Sequence, residues 1–181
     1  SIGDNAFESC SALHTVTIGN NVTSINNNAF TLCTALQSMT IGNNVTSIGN
    51  EAFMYCTALL SVTIPESVTS IGSHAFSFCN SLQYMIIPQS VTSIADSVFY
   101  NCVELRYASI PNTVTAIGKD AFGGCSILQT ITIPDSVTTI GNEAFKNSGL
   151  TILFMSSILK ENLQLDFGEN QNFYGASGVD R

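Results

Sequence analysis

The sequence predicts a repeat solenoid: a right-handed coil with a parallel β-sheet on one face and short strands, turns or 3-10 and helical segments on the other. Three observations predict it. Phenylalanine recurs every 23 residues, at Phe7, Phe30, Phe53, Phe76, Phe99, Phe122 and Phe145, without a slip. Cysteine follows each by three, at Cys10, Cys33, Cys56, Cys79, Cys102 and Cys125, with Ser148 in the seventh unit. Leucine follows by three more, from Leu13 to Leu128, and isoleucine by a further five, from Ile18 to Ile133. A unit this short cannot bury its apolar face alone, so successive units must stack on one another.

Each stretch of the unit has a physical reading, and a period of roughly 20 to 29 residues is that of leucine-rich coils. Leu13, Val16 and Ile18 alternate as a short strand with one buried face. Pro65, Pro88, Pro111 and Pro134 follow the last isoleucine and end the ladder, having no backbone donor; Gly19 and Gly42 stand there in the first two units. Val22 to Ile25 and its equivalents form a second short extended stretch. Gly3, Gly49, Gly72, Gly118 and Gly141 are expected to turn the chain, with Asn26 and Ala95 as exceptions. Ala6-Phe7 and its counterparts then lead into a short helical or 3-10 turn ending near the cysteine.

Parallel strands stack about 4.8 Å apart, so seven coils make a rod about 30 Å long with a phenylalanine spine. Residues 1–150 read as seven repeats, the first truncated at its N-terminus. Residues 151–181 lose the pattern and read as a capping segment or a degenerate repeat. The chain opens in mid-repeat at Ser1-Ile2-Gly3 and ends on Gly178-Val179-Asp180-Arg181, which reads as a fragment of a longer protein.

Composition narrows the partners. Hydrophobic residues make up 45% of the 181, enough for one continuous core. Charged residues make up only 10%, so serine, threonine and asparagine solvate the surface. Thirteen acids against five bases leave a net charge of −8, and the bases are scattered. Nucleic acid and anionic membrane surfaces both draw on clustered bases, so neither is an expected partner. No apolar run approaches the roughly 20 residues that span a bilayer, so no membrane insertion is expected from this stretch.

The unit from Val68 to Cys79, repeated with agreement at six or more columns over about 150 residues, resembles the BspA-like class of leucine-rich repeats. The apolar residue after the strand, Val22 and its equivalents, sits one place earlier than in the familiar leucine-rich pattern. The asparagine of that pattern survives only as Asn21 and Asn44. Both departures are shared by the BspA-like variant. The resemblance implies a surface or secreted protein of bacteria or unicellular eukaryotes, linked to adhesion and to binding host or matrix proteins. Fold alone does not establish function.

No constellation of residues carries chemistry. The six cysteines avoid Cys-x-x-Cys and other zinc spacings. Reduced core cysteines are favoured over disulfides between neighbouring coils, and metal or redox chemistry comes last. His14 and His74 occupy different repeat columns, so they form no shared site. Phosphate-loop, dinucleotide and nucleophile-elbow motifs are absent, and neither an enzyme nor a cofactor or metal is expected. Asn21-Val22-Thr23 and Asn44-Val45-Thr46 match the N-glycosylation pattern, but the fold's own polar turns generate the same triplets.

The outward sheet face holds the one departure of interest. Its two columns are a serine and threonine ladder, Thr15, Ser38, Ser61 and Thr130 in one, Thr17, Thr40, Thr63, Ser109 and Thr132 in the other. Tyr84, Ile86 and Tyr107 interrupt it, with Arg106 alongside. Tyrosine and arginine are enriched at binding hot spots. Repeat drift on an exposed β-surface, which tolerates aromatics anyway, is the weightier alternative. The expected function is a non-enzymatic protein-interaction module, at the cell surface or secreted, that binds a protein partner through Tyr84, Ile86, Arg106 and Tyr107. The alternative is an intracellular scaffold subunit packed within a larger assembly.

Overall fold

The computed structural model describes residues 1–155 of the chain. Strands are numbered in chain order. Three-residue strands β1 (Thr15–Thr17), β3 (Ser38–Thr40), β5 (Ser61–Thr63), β7 (Tyr84–Ile86), β9 (Tyr107–Ser109), β11 (Thr130–Thr132) and β13 (Ile152–Phe154) recur once per coil. Between them lie two-residue strands β2 (Ser24–Ile25), β4 (Ser47–Ile48), β6 (Ser70–Ile71), β8 (Ser93–Ile94), β10 (Ala116–Ile117) and β12 (Thr139–Ile140). All pairings are parallel, and the architecture is the predicted solenoid.

The 23-residue period appears directly as register: Val16 faces Met39, Met39 faces Val62, and Met85 faces Ala108. The last pair differs, with Ile131 facing Leu153, one residue closer in sequence. Ser148-Gly149-Leu150 is one residue shorter than the equivalent stretch from Cys125 to Leu128. β13 therefore carries the ladder into residues 151–155, while the rest of the expected 151–181 cap lies outside the described residues. In each central long strand the middle residue is buried, and its neighbours face outward. That is the pleat acting on the alternation seen in sequence.

Phenylalanine forms the spine. Neighbouring rings in the series from Phe7 to Phe145 stack with centroids 5.0 to 5.9 Å apart. Their spacing exceeds the strand separation of about 4.8 Å, because offset stacking suits the ring quadrupoles better than a face-to-face sandwich. Phe30 through Phe122 are all within 1% of complete burial, whereas Phe7 at the first coil is 42% exposed.

The turn face departs from the expected helical or 3-10 segment: the described residues hold turns there and no helix. Its backbone alternates between two kinds of hydrogen bond. The amides of Ala6, Glu8 and Cys10 donate within the coil to Gly3, Asn5 and Phe7. Those of Asn5, Phe7 and Ser9 donate to Asn27, Ala29 and Thr31 of the next coil. A helix would direct every amide back into its own coil, whereas here every other one joins neighbouring coils. The alternation requires two left-handed residues per coil. They are Asn5 and Ser9 in the first, Asn28 and Leu32 in the second, and Glu51 and Tyr55 in the third, with φ between 55° and 62°.

The recurrent glycines also hold a different role from the expected turn. Gly49, Gly72, Gly118 and Gly141 do not have positive φ. A Cβ at any of them would lie 2.4 to 2.6 Å from backbone atoms of the preceding coil. Close approach of the coils, not a turn, selects glycine in this column. The short-strand ladders are β2-β4-β6 and β8-β10-β12, parted at the coil where Ala95 stands in this column, whereas the coil of Asn26 stays joined to its predecessor through the Ile2–Ile25 bridge.

Candidate interaction surface

The four residues singled out on the sheet face come together. Tyr84 and Tyr107 are register partners across β7 and β9, and Ile86 faces Ser109 in the same ladder. Tyr84 is 55% exposed, Tyr107 51% and Ile86 68%. These are large values for aromatic and branched aliphatic side chains on a face otherwise lined with serine and threonine. Arg106 enters β9 beside Tyr107, and its guanidinium meets Glu104 at 3.5 Å. An exposed pair at that length contributes roughly 0 to 1 kcal/mol and leaves the guanidinium free to engage another acceptor.

The sheet under this patch is not continuous. Its ladders are β1-β3-β5, β7-β9 and β11-β13, so the patch strands form their own pair. β5 and β7 stay joined at their entry, where the Gln83 amide donates to the Leu60 carbonyl at 3.3 Å. Between β9 and β11 no backbone hydrogen bond crosses among the described residues. A cleft of about 250 Å³ opens there, lined by Arg106, Tyr107, Ser109, Gln129, Thr130 and Thr132 among others. The inward residue of β9 is Ala108, where the corresponding strands carry valine, methionine, isoleucine or leucine. Ser109 is half-buried, whereas Thr17, Thr40, Thr63, Ile86 and Thr132 in its column are exposed. The smaller side chain of Ala108 and the deeper burial of Ser109 both fall on the strand that borders the cleft.

A second feature, a half-buried aromatic ridge on the turn face, was not anticipated. Tyr55 and Phe78 stack at 4.5 Å, and Tyr100 meets Phe78 edge-on at 5.6 Å. Leu32 continues the ridge in the preceding coil and is 39% exposed. Leu32, Tyr55 and Phe78 all have φ near +60°, in a column that holds Ser9, Asn101, Gly124 and Asn147 elsewhere. Bulky residues in that conformation are rare, and at Tyr55 and Phe78 the ring stack offsets the backbone cost. The sequence signal was three consecutive apolar residues in that column.

The cysteines form an inert ladder. Cys33, Cys56, Cys79, Cys102 and Cys125 are buried, Cys10 is exposed, and all six are unpaired. The thiols of Cys56, Cys79 and Cys102 donate to the carbonyls of Phe30, Phe53 and Phe76 at 3.2 Å. Burial pushes the Cys79 and Cys125 thiols up to about 12, and those of Cys33, Cys56 and Cys102 also upward. Thiols held protonated in this way are neither nucleophiles nor ready metal ligands. His14 Nδ1 lies 2.8 Å from the Ala12 carbonyl, and His74 Nδ1 lies 3.3 Å from the Ser77 hydroxyl. No group of three or more His, Cys, Asp or Glu suited to a metal occurs among the described residues. No helix there is long and apolar enough to cross a membrane. Of the sequons, Asn44 uses its amide nitrogen to bond the Asn20 carbonyl at 2.7 Å.

A parallel-stranded solenoid with a one-residue-per-coil aromatic spine and an outward polar sheet defines a leucine-rich repeat protein. The chain belongs to the BspA type leucine rich repeat region family, whose model matches residues 1–106 and 92–174 in six copies. This family is in general a non-enzymatic fold that mediates protein interactions, of the bacterial cell-surface type. A leucine rich cell surface protein from Faecalibacterium prausnitzii is 41% identical, with a TM-score of 0.76, over 83% of this chain and 41% of its own. The leucine rich repeat protein of T. pallidum is 28% identical, with a TM-score of 0.79, over 96% of this chain and 78% of its own. One from Bacteroides ovatus is 29% identical, with a TM-score of 0.62, over 86% and 46%. The chain thus spans less than half the length of the first and third. No match was found among curated proteins.

Proposed function

We propose that the chain is an adhesion module at the cell surface, which captures a protein partner on Tyr84, Ile86, Arg106 and Tyr107. The observation that carries this reading is the clustering of these exposed side chains on two paired strands, within a serine and threonine ladder. Aromatic anchors beside an arginine have the composition of an interface core. Similarity to a leucine rich cell surface protein supports the location. A second reading, an intracellular scaffold subunit, draws on the six unpaired thiols, which suit a reducing compartment.

Two experiments test the proposal. Protease shaving of intact source cells, read by mass spectrometry, should release peptides of this chain before lysis. Release only after lysis favours the scaffold. Replacing Tyr84, Arg106 and Tyr107 together by alanine should leave the circular dichroism spectrum unchanged and weaken capture of the partner at least tenfold. Undiminished capture by that folded variant removes the patch.

A further inference from the structure

We infer that the cleft between β9 and β11 is a socket for a partner's carboxylate side chain, an aspartate or glutamate projecting from the protein that rests on Tyr84 and Ile86. This rests on the sheet face being the contact surface, and adds what that surface recognises.

The main-chain groups come first. Elsewhere, neighbouring long strands of one ladder satisfy each other's amides and carbonyls. Along the seam no such bond forms, so the facing amides and carbonyls of β9 and β11 look into the cleft. Backbone groups of this kind need a partner, whether water or a ligand. The space rules out a whole strand: inserting one would part the flanking strands by about 9.6 Å, twice the usual separation. Cα atoms of β9 and β11 still approach within 8 Å. A side chain is the size of group that fits.

Charge selects the side chain. Arg106 is the sole base among the residues lining the cleft, and no acid lines it. The other groups that surround the opening, Tyr107, Ser109, Gln129, Thr130 and Thr132, can all donate hydrogen bonds. A guanidinium with hydroxyl and amide donors around it complements a carboxylate, and Arg engages that group with two parallel bonds. Glu104, itself exposed, is the competitor, and its contact with the guanidinium at 3.5 Å is weak. A carboxylate in the cleft gains several donors at once, where Glu104 gains one.

The test needs no native partner. Amide spectra of the ¹⁵N-labelled chain are followed during titration with N-acetyl-glutamate N-methylamide and, separately, with the matching glutamine compound. The glutamate probe is expected to shift amides of β9 and β11 saturably, with millimolar affinity, and the glutamine probe to bind at least ten times more weakly. Arg106→Gln and Thr130→Val, which each remove a donor from the lining and leave the fold's core untouched, should each lower the glutamate affinity at least fivefold. Equal response to the two probes overturns the socket, as does a glutamate response that survives both variants. Partner capture lost in the triple alanine variant together with no probe response overturns the socket alone and leaves the adhesive patch standing.

Discussion

Phe76→Ala should destabilise the protein by about 3 to 5 kcal/mol, and Phe7→Ala by only about 1 to 3. Phe76 is fully buried and stacked on both sides, 5.2 Å from Phe53 and 5.9 Å from Phe99. Its removal forfeits a transfer energy of roughly 1.5 to 3 kcal/mol and two ring contacts of roughly 0.5 to 1.5 kcal/mol each. Turn-face hydrogen bonds from the Phe53 amide to Ala75 and from the Phe76 amide to Val98 hold this coil against both neighbours, so it cannot collapse into the gap and a cavity remains. Phe7 is 42% exposed and has one neighbour, Phe30, at 5.0 Å. Its loss forfeits about half the transfer term and a single contact, and leaves no cavity. Urea unfolding followed by circular dichroism measures both. Equal costs at the two positions would refute the claim that place in the stack, and not residue type, sets the energy.

Further outcomes follow from the backbone and the thiols. Gly141→Ala places a Cβ 2.4 Å from the Lys119 amide nitrogen and should cost about 1 to 3 kcal/mol. Gly19→Ala, with open space around it and no positive φ, should be neutral or stabilise by about 0.4 to 1 kcal/mol, read from the same unfolding curves. Leu32→Asn should raise stability by about 0.5 to 1 kcal/mol in thermal melts, since asparagine tolerates a φ of 62° better than leucine does. Thiol titration with Ellman's reagent on the folded protein should find one prompt reaction, at Cys10, out of six. The buried thiols ionise above their unfolded value of about 8.5, so the folded state holds more protons in alkali. Their contribution is therefore complete below about pH 8.5 and is lost as the pH rises above it toward the folded values. A urea midpoint at pH 10 equal to that at pH 7 would contradict this.

The coil and its spine were legible in the sequence because a buried column repeats the same chemistry in every unit. Phe76 touches Phe53 and Phe99 whatever the loops do, so spacing alone predicts the contact. The exposed patch was half legible. Tyr84 and Tyr107 could be placed on the outward face by the alternation of a strand, and their shared register followed from the period. Ala108 was visible as the smallest residue of its inward column, yet the missing ladder between β9 and β11 was not. Whether two neighbouring strands close a ladder depends on the balance of packing and hydrogen bonds across two coils.

Periodicity by itself determined the solenoid, the phenylalanine stack and the faces of the long strands, since each needs only nearest-neighbour coils of equal length. Three features were decided by the tertiary structure. Glycine at position 141 answers to the backbone of Lys119 one coil away and not to its own dihedral angles. The turn face is a ladder of alternating hydrogen bonds because its amides find carbonyls on the next coil, which no local propensity encodes. The seam between β9 and β11, where no backbone hydrogen bond crosses, is a relation between two coils that exists only once they are stacked.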